Sequence, residues 1–173
     1  PLAIKHQLIV SINVGHKEIE DGQFITILRR ACFANHLPLS LMKVELSEKA
    51  VSAADILEGF CQELKSLGVK ISIDDFGVQN SNLARLSQLE YDEIKIDKSL
   101  VDGISEDYKQ NIFVIFSDAL AKLNKTLVFE GVENETQYRF IADRYPDALI
   151  QGWYFSKALT RSELAKRLTG VAP

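Results

Sequence analysis

The residues of this chain best suited to chemistry are oxygen-bearing side chains that recur at one position of a repeating pattern. Asn13, Glu45, Asp74, Asp75, Glu130, Glu133 and Gln151 each stand near or just past the end of a short apolar run, as do Lys95 and Asp97. If those runs are strands of one parallel sheet, their carboxyl ends share a mouth, the place where ligands and catalytic groups collect in such folds. Several carboxylates meeting there repel one another and stay ionised together only with cations between them. Carboxylate and amide oxygens without His or Cys suit hard ions such as Mg²⁺, Mn²⁺ or Ca²⁺. Two such ions about 3.5–4 Å apart are a device for phosphodiester hydrolysis, and Lys95 would then hold the water or a phosphate oxygen. Each residue also has an ordinary use: a strand-end Asp caps a helix, a strand Lys pairs with an acid, an Asn satisfies backbone groups. Recurrence at one register on successive strands, more than any single residue, points to a shared site.

The elements that must position these groups follow from hydrophobic period. Short, β-branched or apolar runs at 8–14, 41–46, 69–73, 93–96, 126–129 and 148–151 read as six strands, the first of them buried. Helical stripes lie between them. Phe24, Ile27, Leu28, Ala31 and Cys32 mark a helix within 22–36, and Ile56, Leu57, Phe60, Leu64 and Leu67 mark another. Ser52 with Asp55 caps that second helix, and Gly68 stops it. A short helix fits 81–89, and a longer one at 107–124 places Ile112, Ile115, Phe116, Ala119, Leu120 and Leu123 on one face. Asn134 with Gln137, and Thr160 with Glu163, have capping-box spacing.

Strands alternating with helices predict an α/β fold, a parallel sheet covered by helices. A (βα)8 barrel needs about 250 residues and eight strands. Six strands in 173 residues predict a TIM-like barrel that is incomplete, with two strands missing or the sheet left open. No linker or composition shift divides the chain, so residues 1–173 read as one domain unit. No Gly-rich phosphate fingerprint follows a strand, which argues against a dinucleotide-binding doubly wound sheet.

Composition narrows the function further. A net charge of −4, a pI near 5.4 and the lack of any Lys/Arg block argue against binding a nucleic acid polymer. An anionic ligand would instead be accepted locally, through bound cations. No apolar run approaches the roughly 18 residues needed to cross a bilayer, so no membrane contact is expected and a cytoplasmic location is. Cys32 and Cys61 fall in helical stretches without zinc spacing and read as buried thiols.

Four ordered stretches carry a family resemblance. Asp74-Asp75-Phe76-Gly77, Ile94-Lys95-Ile96-Asp97-Lys98-Ser99, Glu130-Gly131-Val132-Glu133, and Gln151-Gly152-Trp153-Tyr154-Phe155-Ser156-Lys157 resemble the motif series of EAL domains. Upstream, Ser11-Ile12-Asn13-Val14 and Glu45-Leu46-Ser47-Glu48 are similar to the family's strand motifs, so the likeness covers about residues 8–159. The resemblance implies an EAL-type TIM-like barrel, lacking its first strands, and cyclic di-GMP as substrate. It implies cleavage of one phosphodiester bond with two Mg²⁺ or Mn²⁺ ions to give a linear dinucleotide. By position it implies Asn13, Glu45, Asp74, Asp75 and Glu130 as metal ligands. Lys95 would assist the attacking water, Glu133 would support the loop after Asp75, and Gln151 would orient water or ligand.

The chain departs from the family pattern in two places. The Glu of the E-A-L tripeptide and the Arg after it belong to a strand upstream of Pro1. Asp118-Ala119-Leu120 and Asp147-Ala148-Leu149 only mimic that tripeptide. After Gly77 the family has T-G-Y-S where this chain has Val78-Gln79-Asn80-Ser81, which removes a flexible Gly and a Thr hydroxyl. The expectation is a phosphodiesterase in intact form, weak or inactive as this polypeptide, with a non-catalytic cyclic di-GMP-binding or protein-interaction domain as the alternative. A Schiff-base role for Lys95 is disfavoured, because neighbouring carboxylates raise a lysine pKa rather than lower it. An incomplete barrel exposes apolar edges, so a homodimer or other self-association is expected.

Overall fold

Alternation within the strands sorts the sheet into two unlike faces. In β2 (Met42–Ser47), Val44 and Leu46 are fully buried and alternate with Lys43, Glu45 and Ser47. Successive strand side chains point to opposite faces, so the apolar and polar sets separate. The same division recurs in β3 (Lys70–Phe76), with Ile71 and Ile73 against Ser72 and Asp74. In β4 (Glu93–Ile96) it sets Ile94 and Ile96 against Glu93 and Lys95. One face is therefore a greasy seat for helices, and the other is lined with charge.

The computed structural model describes residues 2–47, 49–50, 56–78 and 86–169. With β1 (Val10–Val14), β5 (Thr126–Phe129) and β6 (Leu149–Ile150), the strands form one six-stranded sheet in the order β1-β2-β3-β4-β5-β6. Every neighbouring pair is parallel. The sheet does not close, so β1 and β6 are edges, as the count of six strands predicted. Register aligns Asn13 with Glu45, Ser47 with Asp74, and Lys95 with Val128, which brings the strand ends to one rim.

The connections include helices α1 (Leu2–His6), α2 (His16–Glu20), α3 (Phe24–Ala34) and α4 (Leu57–Ser66) in the first half of the chain. They continue with α5 (Lys98–Asp102), α6 (Asp107–Ala121), α7 (Glu135–Arg144) and α8 (Arg161–Leu168). Helix α4 buries Leu57, Cys61 and Leu64 at helical spacing. Both expected capping boxes form: the Asn134 side chain accepts from the Gln137 N–H, and Thr160 does so from Glu163. Among the described residues, no helix is long and apolar enough to cross a membrane. The proposed Ser52 and Asp55 cap, and most of the 81–89 helix, lie outside the described residues.

Three expectations are corrected. Strand β1 is buried only at Val14: Val10 and Ile12, with Ile9 just before the strand, are each more than a third exposed, because β1 is an edge with a partner on one side only. In α3 the buried stripe is Ile25, Leu28 and Cys32, leaving Ile27 at 61% exposure. In α6 the buried residues are Phe113, Ser117 and Leu120, while Ile112 and Ile115 face outward. Helix α6 is apolar on both sides, so its period alone could not choose a face. Aromatic packing chooses it: the Phe113 ring lies 5.4 Å from Phe129, 6.1 Å from Phe140 and 6.3 Å from Tyr145.

Both cysteines are free and buried, as expected. Burial, with a smaller contribution from the Glu90 charge, pushes the Cys61 thiol up to about 12, and burial raises Cys32 as well. Since the thiolate is the reactive form, an aromatic disulfide reagent at about pH 8 should leave Cys61 unmodified in the native chain. Both thiols should react after denaturation. Fast labelling of Cys61 before unfolding would contradict this packing.

Candidate functional site

The mouth of the sheet is organised around one ammonium group. Lys95 projects from β4 and is almost fully buried. Its Nζ lies 3.1 Å from Glu45 Oε2 on β2, 2.7 Å from Asp74 Oδ1 on β3 and 2.8 Å from Glu130 Oε1 just past β5. Gln151, just past β6, donates from Nε2 to Glu130 Oε1 at 2.9 Å. Side chains from β2 to β6 thus meet through a single hydrogen-bonded chain.

Consecutive strand residues should point to opposite faces, yet Asp74 and Asp75 both reach this mouth. The reason is local. The β3–β4 register slips between Ile73 and Phe76, a bulge that re-aims side chains. Asp75 also takes a left-handed backbone with φ of 54°, which is costly for a non-glycine residue. The Asp75 N–H donates to Asp74 Oδ1 at 3.1 Å. As a result Asp74, Asp75 and Glu130 each offer an oxygen, and those oxygens lie within 4.8 Å of one another.

Charge is out of balance here. Burial works against the Lys95 charge, but hydrogen bonds and attraction from Asp74 and Glu130 outweigh it and raise the pKa above the usual lysine value. For Glu130, burial raises the carboxyl pKa first, and the charges of Asp74 and Asp75 add to it, against the lowering by Lys95. One ammonium therefore serves Glu45, Asp74 and Glu130, with Asp75 beside them. A divalent cation fits this donor set in chemistry and in size. The ligands are all oxygen, and oxygens on opposite sides of such an ion stand about 4–5 Å apart when each bond is about 2.0–2.6 Å.

The remaining predicted residues divide. Asn13 is the register partner of Glu45 but is exposed on the edge strand. Glu133 lies 3.4 Å from the Lys98 ammonium, and its own N–H donates to Gln137 Oε1 at 2.8 Å. The loop it was expected to support lies outside the described residues beyond Val78. Asp97 does not join the cluster; it caps α5, accepting from the Ser99 N–H at 2.8 Å.

Sequence reading missed the layer beneath. Lys43 Nζ and Glu93 Oε2 form a 2.6 Å ion pair on the same polar face, and the fully buried Ser72, the register partner of both Glu45 and Glu93, lies between those strands. Lys43 stands two residues before Glu45, and Glu93 two before Lys95. The period of two placed both on the charged face in advance.

The family model described as EAL domain matches residues 2–158. The chain belongs to the EAL domain family. The probable cyclic di-GMP phosphodiesterase PdeD of Escherichia coli strain K12 is 32% identical over 168 residues, covering 96% of this chain and 31% of that protein. The cyclic di-GMP phosphodiesterase NbdA of Pseudomonas aeruginosa is 30% identical over 169 residues, covering 96% of this chain and 22% of that protein. This chain thus spans less than a third of the length of these curated relatives. Among solved structures, the EAL domain of Mycobacterium smegmatis DcpA matches with a TM-score of 0.85 at 27% identity, covering 97% of this chain and 76% of that one. The PaMucR phosphodiesterase in complex with c-di-GMP matches at 0.82 and 27% identity, covering 90% of this chain and 64% of that one. The open sheet of six parallel strands is therefore an EAL-type, TIM-like arrangement that falls short of a barrel.

Removing the central ammonium tests the electrostatic account. Lys95→Met strands buried carboxylates, and losing one partner of a buried ion pair costs about 3–5 kcal/mol. Denaturant unfolding should show that loss, and millimolar Mn²⁺ should recover more in the variant than it adds to the original chain. Equal stability with and without Lys95 would show that these carboxylates are neutralised by something else.

Proposed function

We propose that this EAL domain binds cyclic di-GMP through divalent cations held at the Lys95 mouth, and that the intact protein hydrolyses it to a linear dinucleotide. The observation that carries this reading is the convergence of oxygens from Asp74, Asp75 and Glu130 within 4.8 Å, beside the Lys95 ammonium. Asp74, Asp75, Glu130, Glu45 and Asn13 would hold two Mg²⁺ or Mn²⁺ ions. The cations supply Lewis acidity and charge neutralisation at a phosphodiester. Lys95, freed in part from the carboxylates, holds the attacking water or a phosphate oxygen with its Nζ. Gln151 fixes the Glu130 carboxylate and so its aim. Glu133 holds Lys98.

A second reading, binding without turnover, is favoured by the loop after Phe76. Val78, where the family has a Thr hydroxyl, is 51% exposed. Self-association belongs to either reading: Ile9, Val10 and Ile12 leave an apolar, unpaired strand edge at β1. Small-angle scattering should give a particle heavier than one chain; a monomer would remove that part of the proposal.

Calorimetry with cyclic di-GMP should show binding that requires Mg²⁺ or Mn²⁺ and weakens about tenfold or more in Glu130→Gln. Chromatography over hours should show slow conversion or none for this chain, and clear turnover for the intact protein. Turnover by the intact protein excludes the regulatory reading; binding alone in that protein supports it. No binding with either metal would refute both.

A further inference from the structure

Helix α3 buries Ile25, Leu28 and Cys32, and the flank beside them carries Thr26, Arg29, Arg30 and Phe33 at spacings of three and four residues. Phe33 is 86% exposed, more than any other large apolar residue among those described. The chain turns back sharply after it. The Asn35 side chain donates to the Ala31 carbonyl at 2.9 Å, and the Leu37 N–H donates to the Cys32 carbonyl at 2.9 Å, with His36 left-handed between them. That turn sets Leu37 and Leu39 beside Phe33, and a groove of about 590 Å³ runs between the helix and the returning segment. Leu37 and Leu39 also pack on the core, so this wall is held from behind. Leu39 stands just before β2 begins at Met42, which puts the groove towards the amino ends of the strands, away from the Lys95 mouth.

The chain's net charge is −4, yet the charged side chains lining this groove are both arginines. Among the described residues, neither Arg29 nor Arg30 has a carboxylate partner. Exposed apolar surface flanked by unpaired guanidinium groups is the composition of a protein interface, where Arg and aromatic side chains carry much of the binding energy. Its charge calls for an acidic occupant, and its apolar walls call for one with a greasy ridge. A free phosphate would pair with the arginines and leave Phe33, Leu37 and Leu39 in water. A flat anionic bilayer could not enter the groove, and the chain's own negative charge opposes it. A second copy of the chain lacks a matching ridge among the described helices: beside the exposed Ile112 and Ile115 of α6, Glu106 and Asp118 are already held by Lys109 and Arg144.

We propose that the groove between α3 and residues 37–39 docks an acidic amphipathic helix of a partner protein, whose apolar ridge covers Phe33 and whose carboxylates pair with Arg29 and Arg30. Helix α3 is 11 residues long, so about 16 Å of partner helix, some three turns, would lie along it. Docking at the amino ends of the strands leaves the carboxylate mouth open, so the partner and a ligand at the mouth can be held together.

The full chain serves as bait for a displayed library of amphipathic helices of about 15 residues, with leucines fixed along one face and the flanks varied among Glu, Lys and Ser. Enriched peptides should be acidic, and calorimetry with the synthesised peptide should show binding that weakens as salt rises. Phe33→Ser should weaken that binding about tenfold or more. Arg29→Glu combined with Arg30→Glu should weaken it comparably and should bind the same peptide once its Glu residues are changed to Lys. Loss of structure could not produce that reversal. Unfolding midpoints equal to that of the original chain confirm that these exposed positions leave the fold intact. Failure to enrich any peptide, enrichment without acidic bias, or equal binding by the Phe33→Ser and charge-reversed variants overturns the proposal. Phe33-dependent binding to phosphatidylglycerol vesicles, or Phe33-dependent self-association in sedimentation, overturns it too, by assigning the groove to a bilayer or to a second copy.

Discussion

The buried Lys95 ammonium is the interaction on which the mouth of this sheet depends. Three carboxylates, from β2, β3 and the residue after β5, lie within hydrogen-bond reach of it. Buried charges of one sign cannot be brought together without a counter-charge, because desolvation and repulsion act in the same direction. Lys95 supplies that counter-charge within the chain, so the site can fold before any ion arrives. One positive charge there faces three carboxylates directly. The residual negative charge is what favours the proposed cation site, and the same ammonium would then be at hand for an anionic ligand.

That arrangement explains why the two faces of the sheet are so different. Val44, Leu46, Ile71, Ile73, Ile94 and Ile96 are fully buried and hold the sheet to its helices by removing apolar surface from water. The opposite face carries two tiers of charge, Lys43 with Glu93 below and Lys95 with its carboxylates above. Buried ion pairs contribute little net stability compared with apolar packing of the same volume. Stability therefore comes mainly from the helix side, which leaves the charged side available for chemistry.

Much of this was legible in the sequence, for a physical reason. A strand's period of two assigns side chains to faces once its ends are known, so Glu45, Lys95, Glu130 and Gln151 could be placed at one mouth from spacing alone. Capping boxes at Asn134 and Thr160 were equally readable, because the bond they make is local. What was not readable depended on partners distant in sequence. Helix α6 is apolar on two sides, and only the rings of Phe129, Phe140 and Tyr145 decide that Phe113 turns inward. The exposure of β1 likewise depends on its pairing with β2 alone, and nothing within residues 10–14 encodes it.

The Asp74-Asp75 pair sits between those cases. Its residue types suggested ligands, but strict alternation would have sent the two carboxylates to opposite faces. The bulge in β3 and the left-handed backbone of Asp75 bring both to one side. Such a backbone is unfavourable for an aspartate by an amount of order 1–3 kcal/mol. Holding two like charges on one side of a strand adds repulsion to that strain. Both costs fall at the same two residues, where Glu130 completes a set of oxygens at metal-binding distance. A divalent cation bound there would relieve the repulsion, so both costs fall where an ion could offset them.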